Sequence, residues 1–113
     1  MNTNCLAVLW TSADLNVAKE MVFLYTYNAK KRSWWDQVIF IIWGPSAKLL
    51  AENEELQKGI KDMMEVGIKV EACIVCAEDL GVADKLRSLG IDVKSMGTVL
   101  TDYIKRGIQV LSI

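Results

Sequence analysis

Five short apolar runs punctuate the chain: CLAVLW at 5–10, VIFIIW at 38–43, IKVEACIV at 68–75, IDVKSM at 91–96 and IQVLSI at 108–113. Longer segments separate them, with apolar residues at helical spacing, as in Val17, Met21, Leu24 and Tyr25 after the polar starter Ser12-Ala13-Asp14. Strand-length runs alternating with helix-length segments predict an α/β domain. The first two runs are apolar on successive residues rather than on alternate ones, as in strands covered on both faces of a parallel sheet. A three-layer α/β/α sandwich follows.

Polar and glycine positions supply the punctuation. Gly44-Pro45-Ser46 turns the chain from the second strand into a helix over Ala47 to Ala51, and Asn53 offers an N-cap for a helix from Glu54 to Val66. Asp84 to Leu89 reads as a short helix, and Thr98 is placed to cap another from Val99 to Arg106. Gly67, Gly90 and Gly107 each stand between a helix and the strand that follows, where a left-handed cap is needed.

With 113 residues, 52% of them hydrophobic, the chain can build one core, and residues 1–113 read as a single domain without linker or repeat. The net charge of -1 and the short basic run Lys30-Lys31-Arg32 argue against a nucleic-acid partner, which would need a basic face. That run reads instead as a solvated helix end. The stretch MNTNCLAVLW has neither a basic leader nor a cleavage site, and the six-residue run VIFIIW is too short to span a membrane. A cytoplasmic protein with no membrane contact is expected, its three cysteines reduced.

No histidine occurs anywhere. The usual general base, the usual metal ligand and every Cys-His or Ser-His pair within one chain are therefore absent. Neither a metal site nor a cofactor is expected.

Ligands of open parallel sheets gather beyond the carboxyl ends of the strands, where loops and helix starts converge. Trp10 ends the first predicted strand, Trp43 and Gly44 the second, Cys73 to Cys76 the third and Met96 the fourth. Trp10, Trp43 and Gly44 are thus candidates to line a small-ligand pocket, although tryptophans at strand ends also serve as core packing. The adjacent pair Trp34-Trp35, in a polar connection, suits either a fold-back over the first helix or a subunit contact.

Cys5 stands among Leu6, Ala7 and Val8 and reads as a small core residue. Cys73 and Cys76 form a Cys-x-x-Cys pair with three possible uses. Zinc would require two further ligands, and there is no second such pair. A dithiol of the oxidoreductase type would start at a helix N-terminus, whereas here Cys73 is expected to close a strand and Cys76 to lie in an open loop. Cys76 is then the more exposed thiol. Glu78 and Asp79 oppose its ionisation: one exposed charge about 6 Å away costs about 0.7 kcal/mol in water, or about half a pKa unit. A nearby helix start offsets that by about 0.3–1 kcal/mol. A weakly activated thiol suits the acceptance of sulfur from an activated donor better than fast peroxide scavenging.

VEACIVCAEDLGV and GIDVKSMGTVLTDYIKRGIQVLSI resemble the DsrE/DsrF-like proteins, and among them the small YchN-like members. The match lies in the strand ending at Cys-x-x-Cys before a glycine loop and in the closing strand-helix-strand. The resemblance implies a five-stranded parallel sheet of order 4-3-2-1-5, assembly into trimers or hexamers, and a place among intracellular sulfur-relay proteins with donor and acceptor proteins as partners. The cysteine that carries persulfide in some relatives falls on Cys76, and Cys73 matches the additional cysteine of YchN-like members.

The function so implied is a sulfur relay with Cys76 as acceptor. Two others compete: a non-catalytic oligomeric module binding a small ligand at Trp10, Trp43 and Gly44, and a thiol-disulfide protein using Cys73 and Cys76. The apolar composition, with four tryptophans and a mean hydropathy of +0.23, separately favours a homo-oligomer, with Trp34 or Trp35 at a subunit contact and the Cys76 loop near another.

Overall fold

The computed structural model describes residues 4–113; the first three positions of the stretch read above for an export signal lie outside them. Five strands, β1 (Cys5–Trp10), β2 (Gln37–Ile42), β3 (Lys69–Cys73), β4 (Asp92–Lys94) and β5 (Gln109–Ser112), form one parallel sheet of order β4-β3-β2-β1-β5. The helices are α1 (Leu15–Val17), α2 (Phe23–Lys31), α3 (Ser46–Glu52), α4 (Glu54–Glu65), α5 (Ile74–Asp79), α6 (Ala83–Ser88) and α7 (Gly97–Lys105), with a π-helical stretch, Ala18–Val22, joining α1 to α2. Among the described residues no helix is long and apolar enough to cross a membrane.

The strand order dictates the layers. From β1 to β4 each connection steps one strand outward in the same direction, and right-handed crossovers put the intervening helices on one face. The last connection returns from β4 to β5, beyond β1, so α7 falls on the opposite face. The predicted sandwich is present, with six helices on one side and a single helix on the other.

Side-chain alternation divides the core accordingly. Leu6, Val8, Trp10, Val38, Phe40, Ile42, Val70 and Ala72 face α1–α6, where Phe23, Leu50, Leu56, Ile60 and Leu86 meet them. Trp10, Phe23 and Phe40 form an aromatic cluster: Phe23 stands edge-on to Trp10 at 5.1 Å, and Phe40 stacks on Trp10 at 5.6 Å. Gly59 makes room for it, because a Cβ there would come within 2.7 Å of the Phe23 ring. Cys5, Ala7, Ile39, Ile41 and Cys73 face the other way, against Met96 and Tyr103 at α7.

Caps and stops fall close to their predicted places. The Asp14 side chain accepts the Val17 N–H at 2.9 Å, and Asn53 accepts the Leu56 N–H at 2.9 Å. Gly67 has φ +93, the left-handed conformation its stop position demands, and Gly90 and Gly107 end α6 and α7 likewise. Thr98 does not cap α7. The helix begins at Gly97 with Met96 as N-cap residue, leaving Thr98 inside the first turn.

The third strand is shorter than its apolar run. Ile74 and Val75 read as strand because they are β-branched, yet they form the first turn of α5. By position 74 the pairing with β2 and β4 has already ended, at Ala72 and Cys73. With no strand to pair with, the backbone satisfies its N–H groups by turning into a helix.

Candidate functional site

The carboxyl ends of β1 and β2 are tied together. Trp43 N–H donates to the Trp10 carbonyl at 3.1 Å, Ser46 N–H donates to Thr11 at 3.2 Å, and the buried Ser46 hydroxyl donates to the Trp10 carbonyl at 2.7 Å. This lock fixes the turn at Gly44, whose φ is +74. A Cβ at Gly44 would meet no atom within 4 Å, so the position requires glycine for conformation rather than for space. The turn brings the Gly44 backbone N–H beside the sulfur of Cys76, where it favours the thiolate.

Cys76 is not in a loop. Cys73 is the N-cap residue of α5, with φ -73 and ψ 120, and Cys76 is the third residue of the helix. This corrects the open-loop placement. The first cysteine of the pair stands at a helix start and the second a turn later, so the objection raised above to an oxidoreductase-type arrangement falls away. The two thiols are neighbours, Cys73 buried and Cys76 half-buried.

Burial pushes the Cys76 thiol up. The Gly44 N–H opposes that shift, and Cys73 and Asp79 reinforce it. The thiol form therefore dominates at neutral pH.

Cys76 opens onto a cavity of about 460 Å³ at the carboxyl edge of the sheet. Gly44, Pro45 and Leu49 line it beside Ala13 and Leu80, and Lys48, Glu52 and Asp79 bring one positive and two negative groups. Its size is that of a small-molecule site. Lys48 and Glu52 went unnoticed in the sequence, although a helix from Ala47 to Ala51 was legible. Their four-residue spacing signals a shared face, but only the fold shows that this face borders Cys76.

Of the residues predicted for the site, Cys76 and Gly44 line this cavity, and Cys73 lies behind Cys76. Trp10 and Trp43 do not share a rim. Trp10 pairs with Ile42, so Trp43 stands one position further along and faces the opposite way. Trp10 has no exposed surface and belongs to the aromatic core, whereas Trp43 is half-buried against the face that α7 covers. Neither ring lines the cavity beside Cys76. Cys5 is buried at the far end of the sheet, opposite Gln37, and burial raises its thiol too. Among the described residues no three Cys, Asp or Glu side chains converge as a metal site.

One polar cluster escaped the sequence reading. Glu71, the single acidic residue inside the apolar run IKVEACIV, is fully buried under α7. Tyr103 OH donates to its Oε1 at 2.6 Å, while Oε2 pairs with Lys94 at 2.5 Å and with Lys69 at 3.4 Å. Burial, and then Glu71, hold the Tyr103 hydroxyl far above its usual range, so it remains a donor. Asp92 and Glu71 likewise raise Lys94 and keep it charged. Glu71 lies two residues before Cys73 on the same face, and the cluster anchors the strand from which both cysteines leave.

No family model and no curated protein sequence matches the chain. Solved structures do. A conserved protein of unknown function from Bacteroides thetaiotaomicron, BT1422, is 41% identical with a TM-score of 0.94, over 97% of this chain and 95% of that one. MTH1491 from Methanobacterium thermoautotrophicum, also of unknown function, is 16% identical with a TM-score of 0.75, over 96% and 98% of the two chains. The ychN protein from E. coli is 13% identical with a TM-score of 0.69, over 97% and 98%. The last two share the fold at identities that speak only for the fold, which is the one expected from the DsrE/DsrF-like resemblance. At 41% identity along nearly the whole of both molecules, the chain belongs to the same family as BT1422.

Proposed function

We propose that the protein is a sulfur carrier of the DsrE/DsrF-like kind, in which Cys76 accepts a sulfur atom from a donor persulfide and later surrenders it to an acceptor thiol. One observation carries the reading: Cys76 alone of the three cysteines is not buried, and it lines the cavity beside Gly44. The Gly44 N–H beside it favours the negative charge that develops on Sγ as the thiol gives up its proton. The raised thiol favours a donor whose sulfur is already activated, because only a small thiolate fraction is present at neutral pH.

Inorganic polysulfide tests this reading. Treated protein should be modified at Cys76, and Cys76→Ser should keep its fold and its mass. Sulfur found on Cys5 or Cys73 of that variant would show the site to be wrong.

A second reading, a binding module without chemistry, draws on the size of the cavity and its apolar wall at Pro45, Leu49 and Leu80. A small molecule bound equally well by the wild type and by Cys76→Ser would favour it.

The same proposal includes a homo-oligomer, trimeric or hexameric as in the family it resembles. In support, Leu15, Val17, Met21 and Leu24 expose apolar surface along the first helical segment, and Trp34 is 55% exposed beside Tyr25. Trp35 is committed within the subunit, its Nε1 donating to Tyr25 OH at 3.2 Å, which leaves Trp34 as the contact residue.

A further inference from the structure

We propose that Cys73 is a resolving thiol, which attacks a persulfide formed on Cys76, releases its outer sulfur as hydrogen sulfide and closes a Cys73–Cys76 disulfide. The inference rests on Cys76 as the sulfur acceptor and adds an activity, sulfide release, that a simple carrier lacks.

The positions of the two residues favour such a step. At a helix start the N-cap residue and the third helical residue stand on the same side of the first turn, close enough that in a capping box each side chain bonds the other's backbone N–H. Here both positions carry thiols. The Cys73 side chain makes no capping hydrogen bond, so its sulfur is not committed to the helix end. It lies instead beside Cys76, which packs against the same cluster under α7.

Access then separates the roles. Cys73 is 6% exposed, while Cys76 borders the cavity. A donor entering the cavity meets Cys76. The one electrophilic sulfur that Cys73 can reach is the one its neighbour presents.

The step balances as a thiol-disulfide exchange. The Cys73 thiolate attacks Sγ of Cys76, forming the bond between the two cysteine sulfurs and breaking the bond from Sγ to the outer sulfur. The outer sulfur departs with the electron pair as hydrosulfide and takes up the proton that Cys73 lost. The two cysteines are oxidised by two electrons in total, and the outer sulfur is reduced by two. An external dithiol reductant returns the disulfide to two thiols.

The test compares wild type, Cys73→Ala and Cys73→Ser after brief anaerobic treatment with inorganic polysulfide and desalting, following intact mass and free sulfide over time. Both variants should hold one added sulfur on Cys76. The wild type should lose it at least about tenfold faster, since the attacking thiol is intramolecular. It should release one equivalent of sulfide and end two hydrogens lighter, with a peptide linking Cys73 to Cys76. Wild type that keeps its added sulfur as long as the variants overturns the inference, and so does loss of that sulfur without the linked peptide. Folded variants that take up no sulfur would instead remove the acceptor role of Cys76, and this inference with it. Should neither variant fold, the wild type alone decides: sulfide and disulfide must appear with the same rate constant.

Discussion

On one face of the sheet Trp10, Phe23 and Phe40 lie ring against ring beneath six helices; on the other, a single helix sets its own tyrosine over two cysteines and a buried carboxylate. The first face is apolar and is held by packing. The second carries Glu71 with its three partners, and Cys73, at the end of the same strand, faces it too. Strand order explains the contrast, because three crossovers fall on one side and one on the other. The thinner layer places half-buried groups, Trp43 and Cys76 among them, at its margin.

Substitutions on the two faces should separate accordingly. Phe40→Ala, in the centre of the aromatic cluster, should cost about 3–5 kcal/mol in chemical denaturation, and a loss under about 1 kcal/mol would show that the cluster collapses around the gap. Lys94→Ala removes the nearer cation from a buried carboxylate. Lys69 remains 3.4 Å from that oxygen, so the cost should be about 3 kcal/mol, the low end for a broken buried pair.

Tyr103→Phe should cost about 1.5–3 kcal/mol, as expected for a hydrogen bond to a charged acceptor. It also carries a pH signature. The Tyr103 hydroxyl is raised in the folded state, so its stabilisation is complete below the unfolded value, about 10, and is lost as pH rises toward the folded value. Stability measured from pH 9 upward should fall in the wild type, and the phenylalanine variant should lack that component. Equal slopes for the two would contradict the role given to burial and Glu71.

Smaller effects lie at the surface. Asp79 raises the Cys76 thiol, so Asp79→Asn should lower the midpoint of its alkylation profile and speed labelling at neutral pH by about two- to threefold. Slower labelling would reverse the assigned sign. Trp34→Ala should change stability by less than about 0.5 kcal/mol, yet shift light scattering toward the monomer. A wild type that scatters as a monomer at micromolar concentration removes the proposed assembly.

Element order and sheet type were legible because β1 and β2 are apolar on successive residues and because Gly67, Gly90 and Gly107 mark where helices stop. Side-chain direction at the strand ends was not. Whether Trp10 and Trp43 share a rim depends on where their strands stand relative to each other, and the pairing of Trp10 with Ile42 sets them on opposite faces. Cys76 was misplaced for a related reason: Ile74 and Val75 favour strand by type, while the end of pairing at Cys73 turns them into a helix. Glu71 could have been singled out as the lone carboxylate in an apolar run, but its partners come from α7 and β4, beyond local pattern.

The acceptor role of Cys76 is tested most directly by peptide mapping of the Cys73→Ala chain after polysulfide treatment, in a background where the proposed resolving thiol is gone. One additional sulfur atom on the peptide containing Cys76, removed by an added acceptor thiol, is the predicted result. A Cys76 peptide that remains unmodified, or sulfur located on Cys5, would contradict it.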